Sequence, residues 1–209
     1  EKVKETRRGL MSSMFEIRES DRSSFLRCAE TPFITPGAEI LLMQPQEGAH
    51  TYLRLIPEHM FGPPERCYYT EVSEEPGVIA YNYGAGKGIC IPFRIGSFFY
   101  KEGYQNSLSF MQDLLFQLAG LREIAPGLTP MTEITLKKVG EKTLLQLVNT
   151  TGIFSNSYYP PIPVRDITLI MPGKTATALN GGHLETVQNR EDLTIKLDVL
   201  NAYEAIVIE

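Results

Sequence analysis

The chain has 209 residues, 43% of them hydrophobic and 22% charged, the balance of a globular protein able to pack a core over one or two domains. No run approaches the ~20 apolar residues a membrane helix needs, and the amino-terminal residues hold no apolar stretch of signal-peptide type, so a soluble chain is expected, with no membrane partner. Lys plus Arg is 20 against Asp plus Glu of 25, a net charge of −5, which excludes the clustered basic excess of a nucleic-acid surface.

The first residues place Val3, Leu10, Met14 and Ile17 at intervals of seven, four and three, with Met11 and Phe15 beside them, which predicts a helix over 2–17. Residues 18–30 are polar around Phe25-Leu26 and read as a loop with an edge strand. Short apolar runs bounded by Pro and Gly then predict strands at 38–43, 50–56, 77–83 and 88–93. Between the second and third of these, 57–76 carries Pro63-Pro64 and many acidic residues and reads as a long exposed loop. Tyr104, Leu108, Met111, Leu115 and Leu118 are spaced four, three, four and three, the strongest helix signal in the chain, with Asn106 as N-cap and Gly120 at the left-handed C′ position.

LREIAPGLTP (121–130) reads as a linker. Beyond it the apolar period becomes two, in ITLKKV, KTLLQLVN, RDITLIMP, LTIKLDVL and YEAIVIE, which predicts an antiparallel β-sandwich. The fold class expected is therefore α/β followed by all-β, with an α/β domain over 1–122 and a β-sandwich domain over 131–209.

No catalytic constellation stands out. YGAGKG (83–88) lies between two strands, whereas a phosphate loop ends a strand and opens a helix. It reads as a tight hairpin in which glycine supplies positive φ, with Lys87 exposed at the tip. Cys28, Cys67 and Cys90 lack CxxC spacing, and Cys90 precedes Ile91-Pro92 rather than a nucleophile elbow, so inert thiols are expected. His50, His59 and His183 have no ligand-spaced partners, and neither a metal nor a cofactor is called for. The aromatic segments around Tyr68-Tyr69, Phe98-Phe99 and Tyr158-Tyr159 offer rings that stack on sugars or pack in a core. Asn149-Thr150-Thr151 fits the glycosylation sequon.

The stretch from Phe61 to Tyr104 resembles the later half of the glutamine-amidotransferase-like domain of bacterial glycoside hydrolases, the beta-galactosidase trimerisation domain. The marks are Pro64-Glu65, Tyr83-Gly84, Gly86-Lys87, Phe93, Ile95-Gly96 and Tyr100. Residues 134–209, with LLQLVNTTG, PIPVRDITLIMPG and EAIVIE, resemble the small β domain that ends such enzymes. The resemblance implies a partial flavodoxin-like α/β unit that starts partway through its domain. It also implies catalytic carboxylates on a preceding barrel, so no catalytic residue is assigned here.

The function implied by the resemblance is that of a non-catalytic accessory region of a carbohydrate-active enzyme. A parallel half-sheet needs covering, so the expected partners are another copy of the chain or an upstream barrel domain, with an apolar association surface on the amino-terminal unit. Loop 57–76 is expected to contribute substrate-binding residues to a neighbouring active site: Glu58, His59, Phe61, Glu65 and Tyr68. The alternative is a carbohydrate-binding module using Tyr68, Tyr69, Phe98, Phe99 and Tyr158. The compartment stays open, with the cytoplasm favoured.

Overall fold

A computed structural model describes residues 2–8, 13–28, 30–37, 39–58, 62–63, 65 and 71–209. The chain divides into two units, Glu1–Leu121 and Arg122–Glu209.

The first unit is built on antiparallel strands. Lys2–Arg8 (β1) pairs with Glu39–Gln44 (β4) as a two-stranded ribbon. Met14–Glu16 (β2), Phe33–Ile34 (β3), His50–Ile56 (β5), Pro76–Tyr83 (β6) and Gly86–Cys90 (β7) form a five-stranded sheet in the order β3-β2-β5-β6-β7. Two 3-10 turns, Glu19–Ser24 and Leu26–Cys28, join β2 to β3. After β7 come α1 (Ile95–Glu102) and α2 (Gln105–Gln112), the latter running on as a π-helical turn over Asp113–Leu118.

This corrects the expected α/β, amidotransferase-like unit. Every pairing in the sheet is antiparallel, and the chain is mostly β, with little helix. The misreading has a physical source. Pro76 to Ala80 are all buried, and a strand covered on both faces reads as the continuous apolar run that parallel strands also show. The helix expected over 2–17 is likewise absent from the described residues of that span. Lys2 to Arg8 are seven mostly polar residues whose backbone pairs with β4, and charge on such an edge strand blocks further strand addition.

The core of this unit is aromatic. Phe15 stacks on Phe93 with ring centroids 4.9 Å apart, Phe93 on Phe110 at 6.1 Å, and Phe110 on Phe25 at 5.6 Å. Gly77 makes room for this stack, since a Cβ there would lie 2.7 Å from the Phe15 ring. Helix α2 and its π turn bury Ser107, Phe110, Asp113, Leu114 and Leu118, while Tyr104 and Leu115, both on the expected apolar stripe, are exposed. The π turn inserts a residue into the repeat and rotates the face. Tyr104 takes the N-cap position instead of Asn106, whose Nδ2 donates to the Phe33 carbonyl at 2.6 Å. Gly120 has φ +72°, the left-handed geometry expected of it.

The second unit packs two antiparallel sheets on one core. Thr132–Val139 (β8), Lys142–Asn149 (β9), Ala176–Ala178 (β13) and Tyr203–Ile208 (β16) form one, in the order β13-β16-β9-β8. Val164–Pro172 (β12), Leu184–Asn189 (β14) and Asp192–Leu200 (β15) form the other, in the order β12-β15-β14. Leu145, Leu147, Ile206 and Ile208 from the first meet Ile167, Leu169, Ile195 and Leu197 from the second, alternate residues of each strand as sandwich packing requires. A separate small hairpin, Ile153–Phe154 (β10) with Ser157–Tyr158 (β11), projects between β9 and β12. Ile124, Ala125 and Leu128 of the expected linker pack on this core, and Ile170 donates its N–H to the Ile124 carbonyl.

Candidate functional site

Of the loop residues expected to bind substrate, Glu58 and Glu65 are described and both are exposed. Glu58 Oε2 lies 3.8 Å from Arg7 Nη1. His59, Phe61 and Tyr68 lie outside the described residues, as do Tyr69 and Cys67. The far end of this segment is not loose. The Ser73 N–H and hydroxyl both donate to the Leu55 carbonyl at 2.8 Å, and Leu55 N–H donates to Glu75 O at 2.9 Å, so 73–75 extends the pairing of β6 along β5. Of the other candidate stacking rings, Phe98 is half-buried against the core and meets Tyr104 edge-on at 5.3 Å, Phe99 is half-buried, and Tyr158 of the second unit is exposed.

Tyr158 belongs to a group of exposed aromatic and aliphatic side chains on and beside a hairpin. Ile153 pairs with Tyr158 across the β10–β11 hairpin, and Phe154, Tyr158, Tyr159 and Ile162 are 77%, 80%, 64% and 71% exposed. The buried Asn149 holds the base of this segment. Its Nδ2 donates to the carbonyls of Ile162, Leu200 and Asn201, while its Oδ1 accepts the N–H and hydroxyl of Thr151. Ile162 N–H donates to Thr151 Oγ1 at 2.8 Å, and Tyr159 N–H donates to Gly152 O at 2.8 Å. A Cβ on Gly152 would lie 2.1 Å from the Tyr159 oxygen, so only glycine permits this approach. The sequon is thereby closed, because the nitrogen that would carry a glycan is buried in three hydrogen bonds.

A second feature lies on the first unit's sheet, an open groove of about 370 Å³ lined by Gln46, Tyr81, Tyr83, Gly88, Ile89 and Cys90. None of these residues carries a charge. Tyr81 stands opposite Gly88 and Tyr83 opposite Gly86 in the β6–β7 register. The two tyrosines are two residues apart and so share a face. Lys87 is exposed as expected, though it lies within β7 and not at the tip, and its Nζ donates to the Leu118 carbonyl at the end of the helical segment at 2.7 Å. Sequence reasoning missed this groove. Its signal was the alternation of tyrosine and glycine on facing strands.

The buried titratable groups serve the fold. Asp113 Oδ2 accepts the Arg27 N–H at 2.8 Å and Oδ1 faces the Arg27 guanidinium at 3.5 Å, while that guanidinium sits 5.3 Å from the Phe116 ring centre. Burial raises the Asp113 carboxyl, against the lowering pull of these Arg27 contacts. Burial, and secondarily Asp113, pushes the Cys28 thiol up to about 12, which leaves it without thiolate character near neutrality. His183 Nδ1 lies 2.9 Å from Asp198 Oδ2 on the exposed surface of the second unit. Among the described residues, no three His, Cys, Asp or Glu side chains converge as metal ligands, and no helix is long and apolar enough to cross a membrane.

No protein-family model matches the sequence, and no curated protein matches it. Solved structures that share its fold include two glycosidases. Alpha-L-fucosidase isoenzyme 2 from Paenibacillus thiaminolyticus matches over 99% of this chain and 32% of its own, with TM-score 0.67 and 12% identity. Beta-galactosidase from Bacillus circulans sp. alkalophilus matches over 99% of this chain and 24% of its own, with TM-score 0.52 and 9% identity. The chain thus spans about a third and a quarter of the lengths of these enzymes, and at such identities the likeness is one of fold.

Proposed function

We propose that the chain is an accessory region of a glycoside hydrolase, a platform that supports oligomerisation and shapes a neighbouring active site while bond cleavage occurs elsewhere in the enzyme. The observation that carries this reading is the coverage: two glycosidases each contain the fold of essentially this whole chain as a minor part of a longer polypeptide. Within it, we place the assembly surface not on the amino-terminal unit, where the sequence points, but on the exposed hairpin of the second unit that bears Phe154 and Tyr158. Aromatic side chains have few rotatable bonds and so lose little freedom on association, a property of interface anchors. Loop 57–76, with Glu58, His59, Phe61, Glu65 and Tyr68, is the element that reaches the neighbouring site.

Two measurements on the full enzyme test this. Replacing Phe154 and Tyr158 together by serine should shift sedimentation to a smaller species, as loss of interface anchors worth about 2 kcal/mol each would do. Replacing the five loop residues by alanine should lower kcat/KM on chromogenic glycosides by about tenfold or more, equivalent to about 1.4 kcal/mol of lost transition-state binding. Unchanged sedimentation would remove the assembly role, and unchanged turnover the role of the loop. Glycosidase activity in the isolated 209-residue chain would overturn the whole reading.

A further inference from the structure

Gly86 and Gly88 are not required by the backbone of the β6–β7 hairpin. The turn glycine, Gly84, has φ +55°, but neither Gly86 nor Gly88 has positive φ. A Cβ at Gly88 would meet nothing nearer than the Tyr81 oxygen at 3.9 Å, and one at Gly86 nothing nearer than the Tyr83 oxygen at 3.6 Å, both ordinary contacts. Glycine inside a strand weakens it and marks places where a ligand or another backbone comes close. Here the two glycines stand opposite Tyr81 and Tyr83, and Gly88 lines the groove, so a side chain at Gly88 would take up its space.

The walls of the groove are held in place. The turn between β4 and β5 lies along the Tyr81 ring, with the Cβ position of Gly48 only 3.7 Å from Tyr81 Cε2, and Ala49 N–H closes that turn on Gln46 O at 3.1 Å. On the floor, Cys90 Sγ lies 3.6 Å from Met43 Sδ. From the opposite face of the hairpin, Lys87 ties β7 to the helical segment. Only Tyr83, 82% exposed, is available to settle on a ligand.

We infer that this groove is a binding site for a neutral sugar ring. The lining has no charge to recognise or neutralise an ionic ligand, which turns against phosphates, carboxylates and amines. It offers instead tyrosine faces for an apolar C–H surface and, beside them, two phenol hydroxyls and the Gln46 amide, which both donate and accept hydrogen bonds. An uncharged molecule with one apolar face and a rim of hydroxyls is a pyranose. The volume of about 370 Å³ falls at the small end of the ~300–1,000 Å³ range of ligand pockets, room for a mono- or disaccharide. An open groove of this size binds weakly, with Kd of about 1 mM or above. The assignment goes beyond the platform reading and does not depend on it, because the groove belongs to the chain itself and needs neither a barrel nor an assembly.

The test is an NMR titration of the whole chain with the methyl glycosides of D-glucose, D-galactose and D-mannose, with glycerol as a hydroxylated control that has no pyranose face. At least one glycoside should shift the backbone amides of Gln46, Gly86 and Gly88 in a saturable way, and glycerol should not. Tyr83→Ala should weaken that binding about tenfold or more. Gly88→Val should abolish it by filling the groove, with the thermal midpoint retained because a β-branched residue suits the strand. No saturable shift with any glycoside, shifts confined to other parts of the chain, equal shifts with glycerol, or binding undiminished in Gly88→Val would each overturn the assignment. A peptide that pairs with the edge of β7 and still binds the valine variant would mark the edge, not the groove, as the site.

Discussion

Asn149 and Glu204 of the second unit and Asp113 of the first are all buried polar side chains, but with different consequences. In the second, Asn149 and Glu204 are buried and fully occupied. Asn149 serves five partners, and the Glu204 carboxylate accepts the N–H groups of Asn180, Gly182 and Ala205. Each gathers backbone groups from an irregular segment and fixes it to a regular sheet. In the first unit Asp113 is as buried and accepts the main-chain N–H groups of Arg27, at 2.8 Å, and Cys28, with the Arg27 guanidinium at 3.5 Å, yet burial still raises its carboxyl. A side chain that satisfies orphan backbone groups strengthens a fold, whereas a buried charge that is only partly compensated takes stability from it. The comparison predicts that breaking the first kind costs far more than neutralising the second.

The largest effect is expected at Asn149. Asn149→Ala removes the donor shared by the carbonyls of Ile162, Leu200 and Asn201 and the acceptor of the Thr151 N–H, leaving the Thr151 hydroxyl bonded to Ile162 alone, at a cost of about 3–4 kcal/mol. Urea unfolding of the second unit should move accordingly, and limited proteolysis should open first within 150–162. A cost below about 1 kcal/mol would mean that water replaces the side chain and that the hairpin is not held by it.

In the first unit the counterpart is a packing constraint. Gly77→Ala puts a methyl group 2.7 Å from the buried Phe15 ring and 3.0 Å from Leu53 Cβ. Neither can retreat. Phe15 is stacked on Phe93, and Leu53, at φ +57° with its N–H held by Asp21 Oδ2 at 2.8 Å, is already in a conformation that leucine resists. The expected loss is about 2–3 kcal/mol, read as a lower urea midpoint, with disturbed aromatic proton shifts in the Phe15–Phe93 pair.

These two sites also show what the sequence could reveal. The strands of the second unit come from a period of two, because each has one face in the core and one in water. KTLLQLVN became β9 and LTIKLDVL lies within β15. In the first unit the local signal misled wherever tertiary structure decided the outcome. Val3, Met14 and Ile17 carry a helical spacing, but β1 pairs with β4 and β2 with β3 and β5, and Phe98-Phe99 of α1 reads as an aromatic run without a helical signal. Asn149 looked like a sequon, because nothing local says that three carbonyls from residues far along the chain converge on its amide. The groove was hidden for the same reason: Tyr81 and Gly88 acquire meaning only once the hairpin register sets them face to face.

A smaller effect, with a pH signature, is expected at Asp113. Its carboxyl is raised by burial, so the folded chain holds that proton more tightly than the unfolded chain, whose Asp titrates near about 3.9. The stabilisation this group provides is therefore full below that value and lost as pH rises through the higher folded pKa. Asp113→Asn keeps an oxygen for the Arg27 N–H and removes the titration. The stability of wild type relative to this variant should rise as the buffer is taken from neutral to acid. A flat or opposite trend in paired urea titrations would show that the Arg27 contacts outweigh desolvation.

The smallest effect contrasts two residues with the same backbone angle. Leu53 in the first unit and Arg190 in the second both sit at φ +57°. Left-handed geometry costs an L-residue about 1–2 kcal/mol, a strain that glycine does not feel. At Leu53 the strain cannot be removed this way, since the side chain is fully buried in the core and deleting it would leave a cavity. Arg190 is exposed in the turn between β14 and β15, and it contributes its carbonyl, which accepts from Gln188 Nε2 at 2.8 Å. Glycine keeps that carbonyl and gives back part of its advantage as extra freedom in the unfolded chain, about 0.5–1 kcal/mol. Arg190→Gly should therefore raise the stability of the second unit by about 0.5 kcal/mol. A loss instead, measured by urea unfolding, would mean that the arginine side chain holds the turn and that its backbone is not the strained element.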